Sequence, residues 1–273
     1  MINKQLLQKR FSKNARNYDK YAKVQKKMGM ELIQTLPKIE NAETIDVLEI
    51  GCGTGYVTQL LCETYLNVRI TAIDLAPGMI ERAKERTKGM NGITFFCGDI
   101  EELSFSSSYD LIISNATFQW LNDFQSVIEK LYGLLNEDGR IVFSTFGNKT
   151  FHELHTSSRK AKETLNLPIH HTLGQSFYAF EDLYQLCEQV LQSFSAFPYE
   201  MKGKQLIETE YFPTVKDFFT SIKKIGANNS NKEGSYLGPA FFKELFHQYE
   251  TNFMDERGVK ASYHCLFFSM IKK

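Results

Sequence analysis

The nine residues Val47-Leu48-Glu49-Ile50-Gly51-Cys52-Gly53-Thr54-Gly55 carry an apolar run straight into a bend crowded with glycine. Glycine takes positive φ without steric cost, and it lets a ligand approach backbone that any other residue would shield with a Cβ. Between a buried strand and a helix, such a bend lies at the carboxyl edge of a parallel sheet, where ligands bind. Asp74 ends the next apolar run, 19 residues beyond Gly55. A carboxylate there can accept hydrogen bonds from both hydroxyls of a ribose. Its other role, capping the helix that begins at Pro77, is compatible with the first. Leu75 and Met79 follow closely enough to flank a base. Asp99, in Cys97-Gly98-Asp99-Ile100, could accept an exocyclic amino group while Ile100 packs on the ring; taken alone it is a loop aspartate. Asn115 closes a fourth apolar run, Ile112-Ile113-Ser114-Asn115, at the same edge.

These groups need a parallel sheet to bring them together. From Ile45 onward, short apolar runs alternate with helical stretches, the mark of βαβ units. The expected strands are Asp46–Ile50, Arg69–Asp74, Ile93–Cys97, Asp110–Asn115 and Arg140–Phe146. Helices are expected over Tyr56–Tyr65, Pro77–Lys88 and Asp123–Asn136, with Asn122 as the N-cap of the third and Gly139 in the turn leaving it. Two amphipathic helices, Lys4–Ala15 and Tyr18–Leu36, precede the sheet, and Pro37 stops the second. Beyond it the pattern predicts helices at Lys149–Leu165, Phe180–Leu191, Thr214–Ile225 and Pro239–Phe253. A strand or strand pair is expected over Ser195–Phe212, a polar loop at Gly226–Gly238 and a terminal strand at Lys260–Ile271.

The glycine spacing is G-x-G-x-G, and Tyr56 stands where a dinucleotide fingerprint needs its third glycine. With Glu49 two residues before Gly51, the arrangement resembles the first motif of class I methyltransferases. That resemblance implies that Gly51, Cys52, Gly53 and Gly55 cradle the methionine part of S-adenosylmethionine, while Glu49 helps hold its ammonium group. Asp74, Leu75, Met79, Asp99 and Ile100 would then take the ribose and adenine, and Asn115 would lie beside the sulfonium. S-adenosylhomocysteine would be the product.

Two further segments narrow the choice. Phe11-Ser12-Lys13-Asn14-Ala15-Arg16-Asn17-Tyr18-Asp19-Lys20-Tyr21-Ala22-Lys23-Val24-Gln25 and Asn115-Ala116-Thr117-Phe118-Gln119-Trp120-Leu121 resemble the malonyl-[acyl carrier protein] O-methyltransferases of biotin synthesis. Tyr211-Phe212-Pro213-Thr214 and Lys224-Ile225-Gly226-Ala227-Asn228-Asn229 are similar to that family too, so the likeness covers nearly the whole chain. It implies one α/β domain over residues 1–273: a doubly wound, mostly parallel, seven-stranded Rossmann-like sheet. N-terminal helices (1–40) would cover the cofactor, and a small helical cap (213–257) would be inserted before the last strand.

The implied reaction methylates the free carboxylate of a malonyl thioester, on acyl carrier protein or coenzyme A, to the methyl ester that starts pimeloyl synthesis. The alternative is a methyltransferase for another acid, aconitate-like, or for a quinone or phenol precursor. A carboxylate is ionised near neutral pH, so it needs no general base, metal or covalent nucleophile. What remains is positioning, for which Tyr18, Asn115 and Trp120 are the candidates. The face of Tyr18 attracts a cation, although packing one helix on another would also explain it. Trp120 could wall the acyl pocket or belong to the core. Gln119 and Phe146 are further acyl-pocket candidates, and Lys149, His152 and Arg159 could meet the carboxylate or be solvated surface. The adjacent pair His170-His171 does not make a metal site. Lys202, Lys204, Lys216, Lys223, Lys224 and Lys232 would offer an acidic carrier protein a basic patch, or be merely solvated.

Composition sets the outer bounds. Thirty-two basic residues balance thirty-two acidic ones, which gives no ground for a nucleic-acid or membrane surface. The five scattered cysteines include no C-x-x-C pair, and Met1–Arg10 lacks the apolar core of a signal peptide. The expectation is a reduced, cytoplasmic protein.

Overall fold

The computed structural model describes residues 1–37, 44–169, 173–194, 198–226 and 237–273. His170-His171, Lys232 and the stretch 227–229 lie outside the described residues. The chain runs α1 (Lys4–Tyr21), α2 (Lys23–Gln34), β1 (Ile45–Ile50), α3 (Tyr56–Thr64), β2 (Val68–Asp74), α4 (Pro77–Arg86), β3 (Ile93–Cys97) and β4 (Tyr109–Asn115). It continues through α5 (Phe124–Gly133), β5 (Leu135–Phe146), α6 (His152–Thr164), α7 (Phe180–Ser193) and β6 (Tyr199–Phe212). The last elements are α8 (Val215–Lys224), α9 (Pro239–Phe253), β7 (Met254–Asp255) and β8 (Gly258–Lys272).

The strand order is β3-β2-β1-β4-β5-β8-β6, with β7 paired to β8 off this path. Strands β1 to β5 are parallel; β8 runs antiparallel to both β5 and β6. The order reverses between β2 and β4 on either side of β1, which opens a crevice at the carboxyl ends of these strands. Strand β1 is apolar on both faces because helices cover both. Val47 packs with Val57, Leu61 and Met28 on one side, whereas Leu48 and Ile50 join Val127, Ile128 and Leu131 on the other.

Several boundaries depart from the sequence expectation. The sheet has eight strands rather than seven among the described residues, but β7 is a two-residue hairpin arm, too short to leave a periodic signal. Of the two forms expected over Ser195–Phe212, residues 199–212 take the single long strand, matched along its whole length by β8. The first two helices break at Ala22 instead of after Ala15, which places Tyr18 in the last turn of α1. No proline or glycine marks that break. Asp123, not Asn122, caps α5 by accepting from Ser126 N, while Asn122 bonds the backbone of Ile2. Strand β5 starts at Leu135, so Gly139 lies within it. The β4–β5 register shifts there, and a Cβ on Gly139 would stand 2.8 Å from Asn136 O. A bulge, not a connecting turn, demands that glycine.

Candidate functional site

The bend after β1 is stitched to its neighbour: Gly51 N and Cys52 N both donate to Ile73 O, at 2.8 and 2.9 Å. Its three glycines have positive φ but different jobs. A Cβ on Gly51 would fall 2.0 Å from Thr117 Oγ1, and one on Gly55 2.9 Å from Ala83 Cα in α4. Those two permit close packing. A Cβ on Gly53 would meet nothing within 4 Å, because that residue faces an open cavity.

Asp74 locks the bend. Its Oδ2 accepts from Gly53 N at 2.9 Å and its Oδ1 from Ala76 N at 2.8 Å. Each oxygen keeps a lone pair for another donor. Burial pushes the carboxyl up to about 6, against the pull of the two backbone bonds. Glu49 lies deeper, 2% exposed, and its Oε2 accepts from Thr58 Oγ1 at 2.6 Å. Burial, and then the Asp74 charge, push it up to about 7.

A cavity of about 570 Å³ extends from this bend under α1 and on beneath α8 and α9. Tyr18, Gly51, Gly53, Asp74, Leu75 and Met79 line it, as do Asp99, Ile100 and Asn115. Gln119, Trp120 and Phe146 line it too, with Phe151, Leu154 and Phe177. Glu49, Cys52 and Gly55 sit behind the bend and do not reach the cavity. Any hold that Glu49 exerts on a ligand is therefore indirect.

Helix α1 closes one wall. Gln8 Nε2 donates to Leu75 O at 2.9 Å, and Lys4 pairs with Asp99 and Glu101. Phe11 packs edge-on against both Tyr18 and Trp120. Beside Tyr18, Asp19 accepts from Thr54 Oγ1 at 2.7 Å, pairs with Arg86 and takes Lys26 Nζ on its backbone oxygen. That hub ties α1 and α2 to the glycine bend and to α4. Burial, with help from the charges of Asp74 and Asp19, raises the Tyr18 phenol further above its ordinary value. It stays a donor at any working pH.

Asn115 is held at both ends: its Nδ2 donates to Gln25 O at 2.9 Å, and its Oδ1 accepts from Ser144 Oγ at 2.7 Å. It contributes a fixed wall rather than a free donor. Gln119 is likewise fixed, donating to Ala116 O and accepting from Thr145 Oγ1. Ala116 (φ 49°) and Phe151 (φ 55°) are two of the non-glycine residues with left-handed backbone, and both line the cavity. Strain of that kind collects at functional sites, and no residue type announces it in advance.

The three expected carboxylate partners do not reach the cavity. Lys149 is exposed, His152 lies against Glu153 and Phe253, and Arg159 pairs with Glu163 on the surface of α6. Proximity to β5 in sequence did not fix the rotation of α6, which turns Leu154 and His155 inward instead. Burial and the neighbouring His152 lower the His155 imidazole and favour its neutral form. Lys216 and Lys223 do line the cavity. They lie seven residues apart on one face of α8, a periodicity legible in the sequence. Lys202 and Lys204 stand on β6 and Lys224 outside the cavity, so the expected basic patch is dispersed. Among the described residues, no group of three His, Cys, Asp or Glu could hold a metal ion, and no helix is long and apolar enough to cross a membrane.

The donor end of this cavity fits a cation-bearing nucleoside: side-chain-free backbone at Gly53, an acceptor pair at Asp74 and a second carboxylate at Asp99. Comparison with known proteins agrees. Residues 41–199 match the family model described as a methyltransferase domain. A solved plantazolicin methyltransferase, BpumL, in complex with a triazolic desmethylPZN analog and SAH, shares the fold at a TM-score of 0.54 and 16% identity, covering 99% of this chain and 95% of that one. The malonyl-[acyl-carrier protein] O-methyltransferase of Acetivibrio thermocellus is 45% identical over 273 residues, 100% of this chain and 95% of its own. The protein of that name from Priestia megaterium is 52% identical over 272 residues, 100% of this chain and 99% of its own. With likeness of that extent from end to end, the chain belongs to the malonyl-[acyl-carrier protein] O-methyltransferase family.

Proposed function

We propose that the chain transfers a methyl group from S-adenosylmethionine to the free carboxylate of a malonyl thioester. The observation that carries this reading is one continuous cavity whose acidic, glycine-lined end adjoins an apolar end walled by Phe146, Phe151 and Phe177. The thioester is carried on acyl carrier protein or coenzyme A, and the methyl ester starts pimeloyl synthesis for biotin in the cytoplasm. Residues 1–273 act as one domain, in which α1 and α2 (1–40) cover the methyl donor and the α8–α9 cap (213–257) closes the acyl end.

When bound, S-adenosylmethionine supplies a methyl group already activated by a positive sulfur. Asp74 holds the ribose hydroxyls, Asp99 the adenine amino group, and Leu75, Met79 and Ile100 the faces of the ring. Gly51, Cys52, Gly53 and Gly55 form the bend around the methionine part, with Glu49 supporting it from behind. The Tyr18 ring offers its negative face to the sulfonium, and its protonated hydroxyl can donate to the substrate. Asn115, Gln119 and Trp120, each fixed by its own contacts, hold the carboxylate in line and keep water out. The nucleophile is ionised at neutral pH, so these residues move no proton.

An acceptor panel with labelled S-adenosylmethionine tests the reading. Label should pass to malonyl-carrier protein or malonyl-coenzyme A and not to trans-aconitate or a phenol. Transfer to either of the latter alone would contradict it.

A further inference from the structure

The charges around the cavity are divided. Asp74 and Asp99 mark the donor end, and Lys4 there is already paired with Asp99 and Glu101. From α8, Lys216, Phe219, Thr220 and Lys223 line the same space. Both lysines are exposed, so they stand at the rim rather than in the interior. Among the described residues, neither has a carboxylate within ion-pair distance, and the carboxylates that line the cavity are Asp74 and Asp99. Much of the remaining lining is apolar, Phe177, Phe219, Ile222, Phe242 and Phe246 among it, with His155 and Gln175 as polar members. Seven helical residues span about 10 Å, within reach of two long side chains closing on one group.

An anion presented at the rim by a chain that threads an apolar passage is what this division fits. On the reading that the acceptor is a malonyl thioester, the thiol ends a pantetheine arm, and the arm's other end is a phosphate. We infer that Lys216 and Lys223 seat that 4′-phosphate, so that the arm is gripped at the rim while its malonyl end lies beside Tyr18. Carrier protein and coenzyme A share this phosphate, which lets one pocket accept both.

The test compares three malonyl thioesters: on carrier protein, on coenzyme A and on pantetheine, which lacks the phosphate. Lys216→Gln and Lys223→Gln should each raise KM about fivefold on the two phosphate-bearing substrates, and the double variant more than about twentyfold. With kcat nearly unchanged, the lost contact is one made equally in ground and transition states. Malonyl-pantetheine should show the same KM with every variant, and Lys224→Gln, on the same helix outside the cavity, should match wild type throughout. A loss confined to the carrier-protein substrate would overturn the inference in favour of protein-surface docking. An equal loss on malonyl-pantetheine, or no loss on any substrate, would overturn it as well. Failure of the wild-type enzyme on all three thioesters would instead strike the malonyl-thioester reading beneath it.

Discussion

Gly53 and Asp74 carry the donor end, and their environments predict opposite kinds of damage. A methyl on Gly53 touches no protein atom within 4 Å but points into the cavity, at φ +56°. Gly53→Ala should therefore cost only about 1 kcal/mol of backbone strain while weakening S-adenosylmethionine binding at least tenfold. Calorimetry and thermal unfolding on one sample separate the two effects; loss of folding with normal affinity would contradict this geometry. Asp74→Asn keeps the shape but cannot accept on both sides, and should lower affinity by about 10- to 100-fold. Glu49 gives a pH test. Its folded pKa of about 7 lies above the ordinary carboxylate value, so the folded state binds that proton more tightly than the unfolded chain does. Its contribution to stability is best below the unfolded value and is lost as pH rises toward 7. Glu49→Gln removes a cost of roughly 3 kcal/mol above pH 7, so without ligand the variant should resist urea better than wild type at pH 8 and show little difference at pH 5. Equal effects at both pH values would contradict the account. These residues were legible as a series in the sequence because each lies at or just beyond the carboxyl end of β1 or β2. That Glu49 stands behind the bend was not, since period-two alternation gives a face and not a depth.

At the scale of elements, the α1 wall depends on the Asp19 hub, where Thr54, Arg86 and Lys26 converge. Asp19→Ala should loosen α1 and raise KM for S-adenosylmethionine several-fold. With Asp19 part-exposed, the stability loss should stay near 1 kcal/mol. Hydrogen exchange checks it: amides of α1 should exchange faster while those of β1 and β4 keep their protection, and uniform acceleration would speak against a local latch. The helix break that creates this hub at Ala22 was hidden, because neither proline nor glycine punctuates it. The rotation of α6 was hidden for a related reason. Its inward residues are set by packing on β8, through the buried Glu153 that accepts from Ser262 N and Oγ. A carboxylate spent on backbone in this way looks like any helical glutamate in sequence.

Across the whole molecule, alternation of short apolar runs with helical stretches was enough to expect a parallel sheet with its ligand edge at β1, β2 and β4. The far half was harder. Strands β6 and β8 pair over fourteen residues at long sequence separation, and such pairing leaves no local signal beyond hydrophobicity. The cavity is likewise a property of the assembly: α1 from the start of the chain and α8 from near its end meet over the sheet, where Gly226 packs on Arg10 and Phe11. The account's central claim is that this one chamber brings a methyl donor against a malonyl carboxylate. Tandem mass spectrometry of malonyl-carrier protein after incubation with S-adenosylmethionine bearing a deuterated methyl tests it directly. The account predicts one deuterated methyl on the malonyl carboxylate; a carrier left unmodified, or labelled anywhere else, would contradict it.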